Sequence, residues 1–221
     1  MQREMILLLA SVLLWSACST DANDTEEQTG PDDMPMIART AIPDANFEQA
    51  LIDLDLDDEV DGFVNTNSIK DIEDLVIEDK GIASLSGIED FTALVGLWVS
   101  RNDLTTLDLT ENRNLKFAFV ADNALTSLLV NQLTILEKIQ AENNALATLN
   151  ISDNQALQQL SLASNQLTAI NISNITNTTQ LNTFSIENNP LECIIVNESQ
   201  LADIPAQWTK DDEDVYALDC N

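Results

Sequence analysis

Carboxylates are the potentially catalytic side chains that dominate this sequence. The 221 residues include 38 aspartates and glutamates, three cysteines and no histidine, and the formal net charge is −29. Without histidine, nucleophilic triads of the Ser–His or Cys–His kind cannot be assembled. Paired carboxylates can hydrolyse glycosides, but acids in runs such as Asp211–Asp214 are typical of a solvated surface. We therefore expect a protein that is not an enzyme and that needs no cofactor.

One acidic segment has acidic residues at the spacing that is typical of the first half of a calcium-binding loop. Acidic residues recur from Asp57 to Asp61 and are followed by Gly62. An EF-hand loop ends on a bidentate glutamate at its twelfth position, and that position is Ser68 when the count starts at Asp57. The segment has two interpretations, a calcium site or an acidic turn after a helix, and we assign no metal ligands from the sequence.

A motif that recurs five times between Leu94 and Ile194 must position the side chains that are available for binding. Each copy approximates L-x-x-L-x-[L/V/I/A]-x-x-N-x-L-x-x-[L/I], at steps of 21, 21, 21 and 24 residues. The copies begin at Leu94, Leu115, Leu136, Leu157 and Leu181, and their asparagines are Asn102, Asn123, Asn144, Asn165 and Asn189. This spacing of leucine and asparagine marks a leucine-rich-repeat solenoid. A degenerate copy starts at Ile72, so we expect about six coils over residues 72–195.

Each coil should contain a short parallel strand. Leu97 and Val99 alternate with Trp98, so the two aliphatic residues are predicted to point inward and the tryptophan outward. Stacked coils bury such residues as one column. We interpret the asparagines as structural, because their side chains can hydrogen-bond the backbone where each strand ends. The second half of each copy also alternates, as at Leu107 and Leu109, which predicts short strands or extended segments on the convex side.

A helical cap is predicted over residues 41–71. Pro43 and Asp44 form a helix start, and apolar residues then recur at helical spacing at Phe47, Ala50, Leu51 and Leu54. Such a helix would cover the exposed core of the first coil. The repeats resemble the nested 21-residue class of bacterial leucine-rich repeats, found in surface lipoproteins of the Bacteroidetes type and akin to internalins. The segment Ile42–Leu51 is similar to the N-terminal cap of that class.

The first 17 residues are predicted to be a signal peptide. Arg3 precedes an apolar run, Met5–Trp15, that is too short to span a membrane. The sequence Ser-Ala-Cys ending at Cys18 resembles a lipoprotein box, in which that cysteine is lipidated, and an ordinary secretory signal is the alternative. Residues 18–40 are expected to be a disordered acidic tether. We expect an outer-membrane lipoprotein facing the cell exterior, with the periplasmic face as the alternative, and no other membrane attachment.

A C-terminal cap is predicted over residues 196–221. With Cys18 assigned to the lipid, Cys193 and Cys220 remain, and an exported protein permits a disulfide between them. Trp208 is expected to cover the last coil. This ending is similar to the C-terminal cap of the lipoprotein class that the repeats resemble.

The repeat register predicts an outward apolar cluster on the concave face. Trp98 and Phe119 should lie side by side on adjacent strands, roughly 4.8 Å apart, with Phe117 nearby and a shallow notch at Gly96. Exposed apolar clusters usually mark binding, although a cross-strand aromatic ladder could serve only to stiffen the sheet. The predicted ligand-binding residues are Val76, Trp98, Arg101, Phe117, Phe119, Asp122, Lys138, Gln140 and Glu142, with Asn143 also at the polar rim.

Two functions from different classes fit these features. The first is a non-catalytic lipoprotein that presents its concave face to a protein partner, as an adhesion or interaction module. The second is a glycan-binding surface lipoprotein whose Trp98, Phe117 and Phe119 stack on sugar rings. The strong negative charge repels nucleic acid, so we expect no nucleic-acid partner.

Overall fold

A computed structural model describes residues 38–175 and 181–220. The predicted signal peptide, the lipidation site Cys18 and nearly all of the predicted tether lie outside the described residues. Within the described ranges, no helix is long and apolar enough to cross a membrane.

The N-terminal cap combines a small hairpin with a helix. Strand β1 (Arg39–Ala41) pairs antiparallel with β2 (Phe63–Asn65), and helix α1 (Ala45–Ile52) lies between them in the chain. Helix α1 begins where predicted, because the Asp44 carboxylate accepts hydrogen bonds from the backbone N–H groups of the first turn. A short helix α2 (Thr66–Ile69) follows β2.

Two details of the predicted cap are wrong. The helix ends at Ile52, and Leu54 lies in the following turn with 43% of its surface exposed, so it does not continue the apolar face. The cap also begins earlier than residue 41, because β1 starts at Arg39 and is held by its pairing with β2. The buried residues Phe47 and Leu51 belong to the same core as the coils, as predicted.

The solenoid and its C-terminal cap contribute the remaining elements. In chain order these are β3 (Asp74–Val76), a 3-10 helix (Ile88–Asp90), β4 (Gly96–Trp98), β5 (Thr106–Asp108), β6 (Phe117–Phe119), β7 (Ser127–Leu129), β8 (Lys138–Gln140), β9 (Gln159–Ser161), β10 (Ala169–Asn171), β11 (Thr183–Ser185), β12 (Cys193–Ile195), α3 (Glu198–Ala202), β13 (Trp208–Thr209) and β14 (Tyr216–Ala217). The fold is thus a parallel β-solenoid of about six coils, as the repeat predicted.

Apart from the β1-β2 hairpin, the strands of the described residues form one long sheet and two short ones on the other side of the coils. The long sheet, which we call the concave sheet, is parallel in the order β3-β4-β6-β8-β9-β11-β13. Its register aligns Trp98 with Phe119 and Phe117 with Lys138, as predicted. The short sheets, β5-β7 and β10-β12-β14, confirm the extended segments expected on the convex side.

The motif asparagines hold successive coils together. Each of the five donates Nδ2–H bonds to a carbonyl three residues earlier and to a carbonyl of the preceding coil, and its Oδ1 accepts a backbone N–H from that coil. For Asn165 the carbonyls are those of Leu162 and Ala141, at 3.0 and 2.8 Å, and the N–H is that of Leu146, at 3.0 Å. The equivalent bonds of Asn102, Asn123, Asn144 and Asn189 repeat this pattern. The structural interpretation of these residues is confirmed.

A left-handed residue precedes each of the five motif asparagines, which we call the ladder asparagines, and also Lys80, which occupies the equivalent position of the degenerate copy. The sequence did not predict this conformation. The φ angles are positive at Asp79, Arg101, Asp122, Asn143, Ser164 and Asn188. Asp and Asn tolerate this conformation better than most residues, and they occupy four of the six positions. The conformation turns the chain sharply out of each concave strand.

The C-terminal cap closes the last coil as predicted. The Trp208 indole is 6% exposed, its Nε1–H donates to the Leu181 carbonyl at 2.8 Å, and its ring packs edge-on against Phe184. The predicted disulfide between Cys193 and Cys220 is present. Helix α3 was not predicted, although Asn197 and Gln200 form the reciprocal capping box that starts it.

Candidate functional site

Three side chains from adjacent strands form a stack on the concave sheet. The rings of Trp98 on β4 and Phe119 on β6 are 5.2 Å apart between centroids and 12° from parallel. The Lys138 ammonium lies 4.8 Å from the centroid of the Phe119 ring, and it reaches that ring from β8, on the side away from β4. The cross-strand aromatic ladder considered from the sequence is therefore present, and a cation extends it.

A hollow of about 370 Å³ opens beside this stack. It is lined by Trp98, Phe117, Phe119, Glu137, Lys138, Gln158 and Gln159. The predicted aromatic cluster thus forms the apolar part of a concave surface that is large enough for one or two side chains of a ligand. All three aromatic side chains are only half-buried.

Glu137 and Gln158 are hollow residues that the sequence did not predict. Each precedes its strand by one position, and strict alternation would point it inward, like Ile139. The leucine before each of them, Leu136 or Leu157, already points into the core and has no exposed surface. Because the chain bends between this leucine and the strand, the next side chain turns outward. Lys116, Glu137 and Gln158 are polar residues at the same position of successive repeats, 21 residues apart. This recurrence could have predicted that their side chains point outward.

The predicted notch at Gly96 is wrong, because the Trp98 ring fills it. A β-carbon at Gly96 would lie 2.2 Å from Cζ3 of Trp98 and 2.7 Å from an oxygen of Asp74. The missing side chain therefore lets the indole lie against the backbone, and Gly96 is itself buried.

Replacing Gly96 by alanine should displace Trp98 from its stacked position. The new methyl group would occupy the place of the six-membered ring, and the lost ring stacking is worth about 0.5 to 1.5 kcal/mol. Tryptophan emission should shift to longer wavelength as the indole becomes more hydrated, and stability should fall by that amount. The Trp98→Ala variant identifies which part of the emission comes from this indole. Unchanged emission in Gly96→Ala would mean that the ring does not depend on the glycine.

Five of the predicted ligand-binding residues do not line the hollow. They are Val76, Arg101, Asp122, Gln140 and Glu142. Val76 lies on β3, at the N-terminal edge of the sheet, where 54% of its surface is exposed. Arg101 pairs with Glu78 at 3.2 Å, and Asp122 accepts a hydrogen bond from Asn143 at 2.7 Å. These residues remain predicted contacts for a ligand that is wider than the hollow.

The hollow contains one carboxylate, and that carboxylate is already bound. Glu137 lies 3.6 Å from the Lys116 ammonium and accepts a 3.2 Å hydrogen bond from the Gln158 amide. The lining residues therefore do not supply the pair of carboxylic groups that glycoside hydrolysis requires. What they supply is an apolar surface with a lysine and two amides at its border.

The acidic segment near Asp57 is a turn organised by a buried glutamate. The Glu48 carboxylate, 1% exposed, accepts the backbone N–H groups of Asp61, Gly62 and Phe63 at 2.9, 2.6 and 2.9 Å. Ser68 lies within helix α2, so the stretch is not a 12-residue loop. No group of three potential metal ligands occurs in the part of the chain that the structure describes. The geometry favours the acidic-turn interpretation.

Burial shifts the pKa of a few groups, and all of them lie in the caps. Burial raises the pKa of Asp57, and the nearby carboxylates of Glu48, Asp58 and Asp61 raise it further. In the C-terminal cap, burial raises the pKa of Asp214, and it raises the pKa of Tyr216 to about 12.

Solved structures, but no family model and no curated protein, match this chain. The functional domain of InlJ from Listeria monocytogenes, which includes a cysteine ladder, matches with a TM-score of 0.61 and 26% sequence identity, over 72% of this chain and 38% of that one. The internalin inlF from the same organism matches with a TM-score of 0.51 and 18% identity, over 80% of this chain and 57% of that one. Both likenesses support an internalin-like leucine-rich-repeat fold. The chain spans less than two thirds of the length of each of these two neighbours. The side chains that join its successive coils are the motif asparagines.

Proposed function

We propose that this protein is a non-catalytic interaction module that binds a protein partner through its concave sheet. The observation that carries the proposal is the half-buried cluster of Trp98, Phe117 and Phe119 around one hollow. The whole chain has only three Trp, one Tyr and six Phe, so this clustering is a strong local enrichment. Aromatic residues in partly enclosed apolar patches are the most frequent anchors of protein interfaces. The likeness to internalins is consistent with such a role.

The ring geometry favours a protein partner over a glycan. A sugar ring stacks on an exposed aromatic face, but Trp98 covers one face of Phe119 and the Lys138 ammonium lies over the ring from the other strand. The faces that Trp98 and Phe119 turn toward each other are therefore closed to a sugar, whereas the ring edges pack well against aliphatic and aromatic side chains. Phe117 and the second face of Trp98 have no ring partner among the described residues, so they are the platforms that the glycan alternative retains.

Two further features belong to the proposal. Catalysis is disfavoured because the chain has no histidine and the only carboxylate of the hollow is engaged with Lys116 and Gln158. The signal-peptide pattern and the lipoprotein-box resemblance at Cys18 support anchoring at the outer membrane, facing the cell exterior. There the acidic residues that follow Cys18 would separate the repeats from the membrane, and the concave sheet would be accessible to other cells or proteins.

Removing the aromatic cluster should abolish most of the binding to any protein partner. Candidate ligands come from a pull-down with the lipid-free protein and, separately, from a glycan array. Each is then titrated against the parent and the Trp98→Ala plus Phe119→Ala double variant. Truncated aromatic anchors typically cost about 2 kcal/mol or more, so affinity should fall by about thirtyfold or more.

A matched control removes similar apolar surface elsewhere. Leu129 and Ile135 are 43% and 40% exposed outside the concave sheet, and the variant with both replaced by alanine should bind like the parent. A double aromatic variant that binds every ligand as the parent does would refute the site. Ligands found only on the glycan array, with affinity lost in Phe117→Ala, would favour the glycan alternative.

A further inference from the structure

Lys138 is a cation in the hollow, and it has no anionic partner among the described residues. Six other basic side chains of the described residues form ion pairs with Asp or Glu, namely Arg39, Lys70, Lys80, Arg101, Arg113 and Lys116. Lys210 donates to the Asp211 carbonyl in the C-terminal cap. Lys138 forms no ion pair within residues 38–175 and 181–220, and its contact is the Phe119 ring. In a chain with a net charge of −29, an ammonium that no carboxylate has neutralised is unusual.

The surroundings of Lys138 hold this charge ready for an external anion. A cation–π contact with Phe119 restrains the side chain, yet an ammonium has three N–H donors and the ring face occupies at most one. Gln159, the register partner of Lys138 on β9, places an amide beside it at the border of the hollow. Glu137, the carboxylate that lines the hollow with Lys138, is already bound by Lys116 and Gln158.

We propose that the hollow recognises a carboxylate of the partner: it takes an acidic protein segment in which Asp or Glu adjoins an apolar side chain. This inference rests on the proposed function. The apolar side chain would pack against Phe117 and the edges of the stacked rings, and the carboxylate would accept charge-assisted hydrogen bonds from Lys138 and Gln159. Such a pair, partly shielded from water by the hollow, is stronger than an ion pair on an open surface.

The overall negative charge does not contradict this assignment. At physiological salt the Debye length is about 8 Å, so exposed carboxylates farther away are largely screened. Within the hollow itself the lining residues contribute one cation, Lys138, and one anion, and the anion is paired with Lys116 outside the lining. The local balance of charge in the hollow therefore favours an anionic group of a ligand, although the protein surface as a whole favours cationic ligands.

Matched dipeptides test the proposal on the intact lipid-free protein. The probes are N-acetyl-Trp-Glu amide, its neutral match N-acetyl-Trp-Gln amide, and free glucuronic acid beside glucose, each titrated by two-dimensional NMR. The Glu peptide should bind at least about fivefold more tightly than the Gln peptide. In Lys138→Met, which keeps the aliphatic stem and removes the charge, this preference should fall to about onefold. The Lys70→Met variant makes the same change of net charge in the N-terminal cap and should keep the preference.

Each outcome decides the proposal. Loss of the preference in both Lys138→Met and Lys138→Gln, with unchanged circular dichroism spectra, supports it. Equal binding of the two dipeptides by the parent overturns it, and so does a preference that survives both substitutions. A preference for glucuronic acid over glucose, without one for the Glu peptide, assigns the lysine to an acidic sugar and overturns the protein segment. A partner whose binding is lost in the double aromatic variant but is unchanged in Lys138→Met would leave the proposed function standing while this inference fails.

Discussion

Replacing Asn165 by alanine should lower the free energy of unfolding by about 3 kcal/mol. This side chain is 2% exposed and bridges two coils through the carbonyls of Ala141 and Leu162 and the N–H of Leu146. Alanine leaves the buried Leu146 N–H without a partner, at about 1 to 3 kcal/mol. It also removes one hydrogen bond, worth about 0.5 to 1.5 kcal/mol, from each of the two carbonyls, which keep the amides of Asn144 and Asn189 as donors. Urea denaturation followed by circular dichroism measures the change.

Two companion variants separate the hydrogen bonds from the change in volume. Gln166→Ala removes an exposed amide from the adjacent position and should change stability by less than about 0.5 kcal/mol. Asn165→Asp preserves the shape and can still accept from Leu146, but it replaces the donor by an oxygen that faces the carbonyls of Ala141 and Leu162. It should therefore destabilise the protein more than alanine does at neutral pH. A loss below about 1 kcal/mol for Asn165→Ala would show that the ladder contributes little to stability.

Removing the disulfide should cost a similar amount, about 3.5 kcal/mol. The bond joins Cys193 to Cys220 across a separation of 27 residues, and closing a loop of that length restricts the unfolded chain by about this free energy in the chain-entropy model. The Cys193→Ser plus Cys220→Ser variant should show this loss in thermal unfolding. The oxidised parent with reductant added should then melt like the variant, whereas reductant should not change the melting of the variant itself. Equal melting of the oxidised parent and the variant would contradict the prediction.

The solenoid could be predicted from the sequence because its determinants are local and repeated. One position, the ladder asparagine, recurs in three steps of 21 residues and one of 24. Once this position is located in each copy, the strand register follows from counting. That is why the repeat alone predicts the pairing of Trp98 with Phe119 that the structure has. The disulfide and the role of Trp208 followed because few cysteines and tryptophans were available for these places.

The shape of the concave surface depends on contacts that a residue pattern does not contain. Whether Gly96 forms a notch depends on the rotamer of Trp98, because its indole packs over the backbone of Gly96 instead of pointing away from the sheet. The direction of Glu137 depends on a bend, where the alternation of a strand no longer applies. Leu54 shows the same limit at the end of α1, because helical spacing continued in the sequence after the helix itself had ended. The binding role of the predicted residues stays a prediction.

The uniform register of β4, β6, β8 and β9 also leaves the number of coils unconstrained. Each of these strands meets its neighbours residue for residue, so one 21-residue unit can in principle replace, precede or follow another without altering either cap. Unequal recombination within the gene would then produce longer and shorter variants that differ by whole units and still fold. An insertion between β4 and β9 would, however, divide the hollow, because its lining residues lie on or next to all four of these strands.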